Sequence, residues 1–262
     1  MRQPEGYEDD TNRVCLLIKT LYGLKQAGQE WNIEFDNKVK KHNFTQLLSD
    51  PCVYIHCDHN GIAIITVWVD NLLLFASSDK AMTAMEDNVK SKWQMTKLGE
   101  PSKIIGIEIA IDEHSVTISQ KKYIENILEK EGLERANPMG MPLNPNTPLE
   151  PNPDRNEGDR SNSYARLLRE LQFLANATRP DIAFAINRLA SYTANPSIQH
   201  ISTLKRVLRY LAGTKTYRIR YMADPSQSNL FHGYADTAYG NLDERRSTTG
   251  YVFIAGSGAI TW

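Results

Sequence analysis

Two carboxylates stand at the ends of apolar strands, where chemistry would need them: Asp70 in the run TVWVDNLLLF and Asp236 in GYADTAYGN. An ionised side chain buried without a partner costs several kcal/mol, so Asp70 belongs either at a turn that reaches water or beside a cation. As a turn, Asp70-Asn71 is a natural hairpin tip, because both residue types tolerate left-handed backbone angles. As chemistry, a tip that pushes a carboxylate toward a cleft can hold a divalent cation for phosphoryl transfer. Both readings apply equally to Asp236.

Other residue sets with chemical potential are weaker. Cys52, His56, Cys57 and His59 are metal-ligand types, but on a strand their side chains alternate between faces and His59 falls in the following turn, so they do not converge. No glycine-rich phosphate loop opens any helix, and no G-x-S-x-G elbow is present, which sets aside P-loop and dinucleotide binding and serine hydrolase chemistry. One stripe is strongly basic. From Ile201 to Ala223 there is no Asp or Glu, while Lys205, Arg206, Arg209, Lys215, Arg218 and Arg220 all lie within it, interleaved with Tyr210, Tyr217 and Tyr221. It reads either as a solvated helix face followed by an edge strand or as a surface that contacts phosphate and stacks on bases.

The elements that would position these groups follow from periodicity. Leu24, Ala27, Trp31, Phe35 and Val39 form one stripe of an amphipathic helix that stops near Asn43. CVYIHC and IAIITVWV read as strands joined at Asn60-Gly61, and LLLFA as a third strand beyond Asp70-Asn71. A helix over Lys80 to Trp93 comes next, then the strands KIIGIEIAI and SVTISQ, then a helix that Gly132 can end. Residues 137–163 hold six of the twelve prolines and read as a semi-rigid linker or strap. Three helices follow, the first two separated by Arg179-Pro180 and the third closed by Gly213. The C-terminal strands are YRIRYMA, NLFHGYAD and a hairpin around GSG.

Composition narrows the class. The 262 residues are 41% apolar and 23% charged with a net charge of −1, which is ordinary for a globular chain, and no apolar run approaches the ~18 residues that span a bilayer. Three cysteines without a C-x-x-C pair fit a reducing compartment, and MRQPEGYEDD is neither a secretory signal nor a transit peptide. The expected location is intracellular, cytoplasmic or nuclear, with no membrane partner.

Long blocks of the chain also carry a resemblance. KTLYGLKQAGQEW, DPCVYI, TVWVDNLLLF, KLGEPSKIIGIEI, SQKKYIENILEKEGL, TRPDIAFAINRLASY, LKRVLRYLAGT and RRSTTGYVFIAGSGAITW occur in the order and spacing of the Pol polyprotein of copia-type LTR retrotransposons. The chain resembles the reverse transcriptase region of that family running into ribonuclease H. The implied fold is α+β: an incomplete right-hand polymerase palm and thumb, then a helical connection and the start of an RNase H-like α/β domain. The implied boundaries are 1–136 for palm and start of thumb, 137–163 for the linker, 164–225 for the helical thumb or connection, and 226–262 for the RNase H-like part.

What the resemblance implies for sites is specific. VWVDN is similar to the family's Tyr-Val-Asp-Asp box, so Asp70 matches the first catalytic carboxylate and Asn71 replaces the second. Gly23, Lys25, Gln26 and Trp68 are then expected near nucleotide and template, LGEPSKIIGIEI near the primer strand, and Asp236 as the first metal-binding acid of ribonuclease H. Lys205, Arg206, Arg209, Arg218 and Arg220 are candidates for nucleic-acid contact. The implied cofactor is Mg²⁺, held by Asp70 and Asp236, and the implied partners are an RNA template, a DNA primer or RNA–DNA hybrid, and the rest of a Pol polyprotein. Met1 aligns with the methionine of the family's M-x-Q-P-x-G-F block, so another palm carboxylate is expected upstream, and the remaining ribonuclease H acids beyond Trp262. Two cations roughly 3.5 to 4 Å apart need several carboxylates. With one matched acid per site, the chain alone is expected to show neither activity; the alternative is a non-catalytic nucleic-acid-binding or assembly module.

Overall fold

A computed structural model describes residues 1–9, 11–21, 23–91, 93–144, 148–153, 159–222, 231–240 and 247–262, the side chains of 159–161 excepted. It is a mixed α/β chain with antiparallel sheets, divided into two compact units, Met1–Gly99 and Glu100–Trp262. The division falls in the KLGEPSK loop, where Gly99 takes a positive φ of 82°.

The first unit is a four-stranded meander of β1 (Thr45–Gln46), β2 (Val53–Asp58), β3 (Gly61–Trp68) and β4 (Asn71–Ala76), with helices α1 (Ala27–Lys40) and α2 (Asp79–Lys90). Period-two alternation buries Ala63, Ile65 and Val67 of β3, and their cross-strand partners Ala76, Leu74 and Leu72 fall on the same face. Against that face pack Phe35 and Val39 of α1 and Met85 and Val89 of α2, each pair four residues apart and so on one helix stripe. Ser78, in extended conformation, caps α2 by accepting from the Ala81 N–H at 3.1 Å. The same hydroxyl donates to the Asn60 carbonyl at 2.6 Å, tying the first hairpin to the helix start.

The first hairpin and the end of α2 differ from the sequence expectation. The first hairpin pairs Asp58 with Gly61, so the turn residues are His59 and Asn60 rather than Asn60 and Gly61. Gly61 instead opens β3 at a φ of 129°, where a Cβ would collide with the Ser77 hydroxyl. Helix α2 ends at Lys90, and Trp93 leaves it to stack on Phe35 with ring centroids 5.1 Å apart. The aromatic ring gains more from the core than one further helical turn would supply.

The second unit opens with β5 (Lys103–Ile104), β6 (Ile107–Asp112) and β7 (Ser115–Ser119). Its fourth strand, β8 (Ile219–Met222), arrives about a hundred residues later and pairs with β7 from Ser115↔Met222 to Ile118↔Ile219. Between them α3 (Lys121–Lys130), α4 (Asp159–Ala177), a 3₁₀ turn (Pro180–Ile182), α5 (Ala183–Ala190) and α6 (Ile198–Thr214) bury one apolar cluster that includes Ile127, Leu171, Ile186 and Leu208. Gly132 stops α3 at a φ of 65°, as its position predicts. A three-stranded sheet, ordered β11 (Gly258–Thr261), β10 (Thr248–Ala255) and β9 (His232–Ala238), completes the unit.

The proline-rich segment is a docked strap over its described parts, and it runs antiparallel to α6. Arg209 Nε donates to the Asn137 carbonyl at 2.8 Å and Arg206 Nε to the Met141 carbonyl at 3.1 Å. Further along, Gln199 donates to the Pro148 carbonyl, Tyr192 to the Leu149 carbonyl, and Asn195 to the Asn152 carbonyl. Leu149 is buried in the helical core. Gly213 does not close α6, which continues to Thr214; a Cβ there would stand 2.8 Å from Cβ of Pro138, so glycine is what lets the strap approach.

Candidate active site

The β3–β4 hairpin is built from Val67↔Leu72 and Trp68↔Asn71 pairs, which leaves Val69 and Asp70 as its two turn residues. Asn71, expected in the tip, is the first residue of β4. Val69 takes a φ of 57° while Asp70 is not left-handed, the pattern of a type II′ turn, which favours glycine at its first central position. A β-branched residue held there costs roughly 1 to 3 kcal/mol and persists only where its surroundings enforce it. The surroundings do so: Trp31 of α1 donates its indole N–H to the Val69 carbonyl at 2.5 Å. Trp31 is itself held edge-on to Trp93 and tilted on Phe35, at centroid distances of 5.8 and 5.9 Å.

Asp70 therefore projects from an exposed tip whose backbone is anchored to the core. Trp68 and Asn71 share the sheet face opposite the helices, together with Thr66 and Leu73, and Trp68 is 54% exposed. Gly23 has a φ of 89°, Gln26 is the N-cap of α1, and Lys25 precedes it; all three are exposed, one to two turns before Trp31. The helix that carries Lys25 and Gln26 at its start is thus the one that grips the hairpin tip. Among the described residues, no group of three or more His, Cys, Asp or Glu side chains gathers to hold a metal ion. The carboxylate at this tip is Asp70; Asn71 offers an oxygen without charge.

Asp236 lies in a different setting. It sits within β9 opposite Gly250, every residue of β9 is exposed, and its carboxylate accepts from the neighbouring Thr237 N–H at 2.9 Å. On β2, His56 places Nδ1 3.0 Å from the Asn43 carbonyl and Nε2 3.5 Å from Asp58, while Cys57 is exposed.

The basic stripe separates into parts with different partners. Arg206 and Arg209 grip the strap. Arg220 donates to the Ser115 hydroxyl and lies 3.8 Å from Asp112, whose carboxyl is held below its ordinary range first by the Ser115 hydroxyl. Lys215 is 4.0 Å from Glu125. Lys205 and Arg218 are exposed and form no ion pair among the described residues. Of the interleaved tyrosines, Tyr217 is exposed, Tyr221 donates to the Ala259 carbonyl, and Tyr210 is buried.

Tyr210 belongs to a network at a place where periodicity shows only a break between helices. Arg179, 1% exposed, makes a two-point pair with Asp181 at 2.8 and 2.7 Å and donates to both oxygens of Thr214. Tyr210 donates to the same carboxylate at 2.8 Å; burial and that bond push its phenol up to about 12. The signal available in sequence was Arg179 followed by a proline and an acid two residues on.

Comparison with known proteins decides the family. Residues 1–145 match the family described as reverse transcriptase (RNA-dependent DNA polymerase). The chain belongs to that family. It is similar over its whole length to the Pol polyproteins of transposons TNT 1-94 of Nicotiana tabacum, at 33% identity, and RE1 of Arabidopsis thaliana, at 32%. It spans about a fifth of the length of each. It is also 29% identical to the transposon Ty5-1 protein YCL074W of Saccharomyces cerevisiae, of which it covers 85%. The copia-type resemblance read from the sequence is borne out. No solved structure matches the chain.

Proposed function

We propose that the chain is the palm and thumb portion of a template-directed DNA polymerase within a copia-type Pol polyprotein, followed by the opening strands of an RNase H-like domain. The observation that carries this reading is the exposed carboxylate of Asp70 on a strained tip that the core holds in place. In this reading Asp70 holds a catalytic divalent cation, Mg²⁺ by family expectation, which would stabilise the charge of the reacting phosphates. Gly23, Lys25, Gln26 and Trp68 line the approach for the incoming nucleotide and the RNA template with its DNA primer. One carboxylate does not neutralise two closely spaced cations, and magnesium sites draw on carboxylates plus substrate phosphates. The reading therefore assigns further acids to other parts of a Pol polyprotein, which would work in the cytoplasm or nucleus.

Template–primer extension with Mg²⁺ or Mn²⁺ tests this. The 262-residue chain is expected to be silent, whereas a longer Pol protein containing it is expected to extend primers, to lose about a thousandfold on Asp70→Ala, and to gain on Asn71→Asp. Extension by the longer protein that ignores Asp70→Ala would overturn the assignment, and extension by the chain alone that Asp70→Ala abolishes would overturn the need for outside acids.

A second reading, a nucleic-acid-binding module without catalysis, is favoured by one observation: Lys205 and Arg218 are exposed cations without an acidic partner among the described residues. Binding of an RNA–DNA hybrid that weakens with salt and with neutralisation of these two residues is its expected outcome. Absent or salt-independent binding removes it.

A further inference from the structure

We infer that Trp31 is a positioning residue for Asp70: its indole N–H holds the turn residue Val69 in the left-handed region and so fixes the direction in which the next residue projects. The inference rests on the reading of Asp70 as a cation ligand, but its physical core does not. Valine is a poor choice for the first central position of a type II′ turn, and the turn still forms with Val69 at a φ of 57°. What compensates is a tertiary bond spanning 38 residues, from Trp31 Nε1 to the Val69 carbonyl. That bond fixes the peptide plane joining Val69 to Asp70, because the carbonyl it grips belongs to that plane.

The donor is itself constrained. Trp31 lies one turn ahead of Phe35, which is fully buried, and packs against Trp93, so its ring has little freedom to follow a moving hairpin. The tip is otherwise exposed, with Val69, Asp70 and Asn71 all open to solvent. Preorganisation of a carboxylate on an exposed tip needs such a support, since a side chain free to swing loses the geometric advantage of a fixed ligand. Helix α1 also bears Gln26 at its N-cap, so the same rigid element carries a candidate nucleotide contact and the grip on the candidate metal ligand.

A double-mutant cycle on the full chain separates donation from packing. Trp31→Phe keeps an aromatic ring in the cluster and removes the donor; Val69→Gly removes the backbone penalty that the donor offsets. Amide hydrogen exchange at Asp70 and Asn71, read by NMR, is expected to speed about fivefold in Trp31→Phe, the worth of one ordinary hydrogen bond. In the Val69→Gly background the same substitution is expected to change exchange by less than about twofold. An equal acceleration in both backgrounds would show that Trp31 acts by packing alone and would overturn the inference, as would a Trp31 indole N–H that exchanges as fast as that of the exposed Trp68. Paramagnetic broadening by Mn²⁺ supplies the second readout: it is expected to centre on the amides of residues 69–71, to vanish in Asp70→Ala, and to weaken in Trp31→Phe. Wild-type chain that shows no broadening at the tip would sink the metal reading of Asp70 while the exchange cycle still decides the role of Trp31. Broadening unchanged by Trp31→Phe, with the tip otherwise loosened, would remove Trp31 from positioning the carboxylate.

Discussion

The two acids singled out by sequence, Asp70 and Asp236, are held by unlike means. Asp70 stands on a hairpin whose inner face is closed by two helices and whose turn is anchored by Trp31. Asp236 stands on a strand exposed on both faces, opposite a glycine, with a carboxylate bonded to the next residue along. The difference teaches that an acid at the end of an apolar strand is a site only to the extent that something behind it is packed. In the first unit the aromatic stack of Trp31, Phe35 and Trp93 does that work.

The sharpest way to break the contrast is to remove packing on each side. Phe35 is fully buried, and Phe35→Ala is expected to cost about 3 to 5 kcal/mol of stability in the first unit, measured by denaturant unfolding. Tyr251 of β10 is 47% exposed, and Tyr251→Ala is expected to cost less than about 1 kcal/mol. Comparable losses at both positions would mean that the β9–β10 sheet is packed as tightly as the meander, and the distinction between the two acids would fall.

Much of this architecture is legible in sequence, and the exceptions share a cause. The stripe of Phe35 and Val39, the alternation of Ala63, Ile65 and Val67, and the stop at Gly132 are local patterns that the structure keeps. Propensity points to Asp70-Asn71 as the tip of the second hairpin, one residue further along than the structure places it, because a tertiary bond lets Val69 take the strained position. The pairing of β8 with β7 joins segments far apart in the chain, and no periodicity records it. The strap reads as a linker by composition, since prolines and polar residues bury little; its docking depends on carbonyls that Arg206, Arg209, Tyr192 and Gln199 happen to reach. Two arginines that look like phosphate contacts thus turn out to be engaged with backbone.

Smaller effects probe whether the strap shares the rigidity of the helices it crosses. Gly213→Ala places a methyl against Pro138 inside a well-formed helix, so the helix gains propensity while the strap is displaced. The expected net is a loss of about 1 to 2 kcal/mol, with proteolysis between residues 137 and 144 accelerated. A stabilised protein would mean that the strap yields freely and that its bonds to α6 count for little.

The strap's other end is tied to a titratable group. His200 is fully buried, stacks on Tyr192 at 4.0 Å, and completes the capping box of α6 by accepting from the Ser197 N–H at 2.9 Å. Burial is the main cause that holds its imidazole below the ordinary value of 6.5. The folded state therefore binds fewer protons than the unfolded state below that value, so the stabilisation is complete above pH 6.5 and is lost as pH falls toward the folded pKa. The slope cannot exceed about 1.4 kcal/mol per pH unit for a single proton. In His200→Gln, where glutamine can still serve the capping box, the unfolding midpoint is expected to lose this dependence between pH 7 and 5. A wild type and variant that decline in parallel would place the acid sensitivity elsewhere.

The smallest expected effect returns to Asp236. Its cross-strand neighbour Gly250 offers no side chain, and among the described residues a Cβ added there would meet nothing within 4 Å. Asp236→Asn keeps the shape and an acceptor for the Thr237 N–H, and removes only a solvated charge. The change in unfolding free energy is expected to stay within about 0.5 kcal/mol, as for surface positions away from caps and networks. A gain in stability beyond that would reveal repulsion from a nearby negative charge, the signature of a carboxylate held in place for a cation. A neutral result fits an acid that the strand presents without support, in contrast to Asp70, whose backbone the core holds through Trp31.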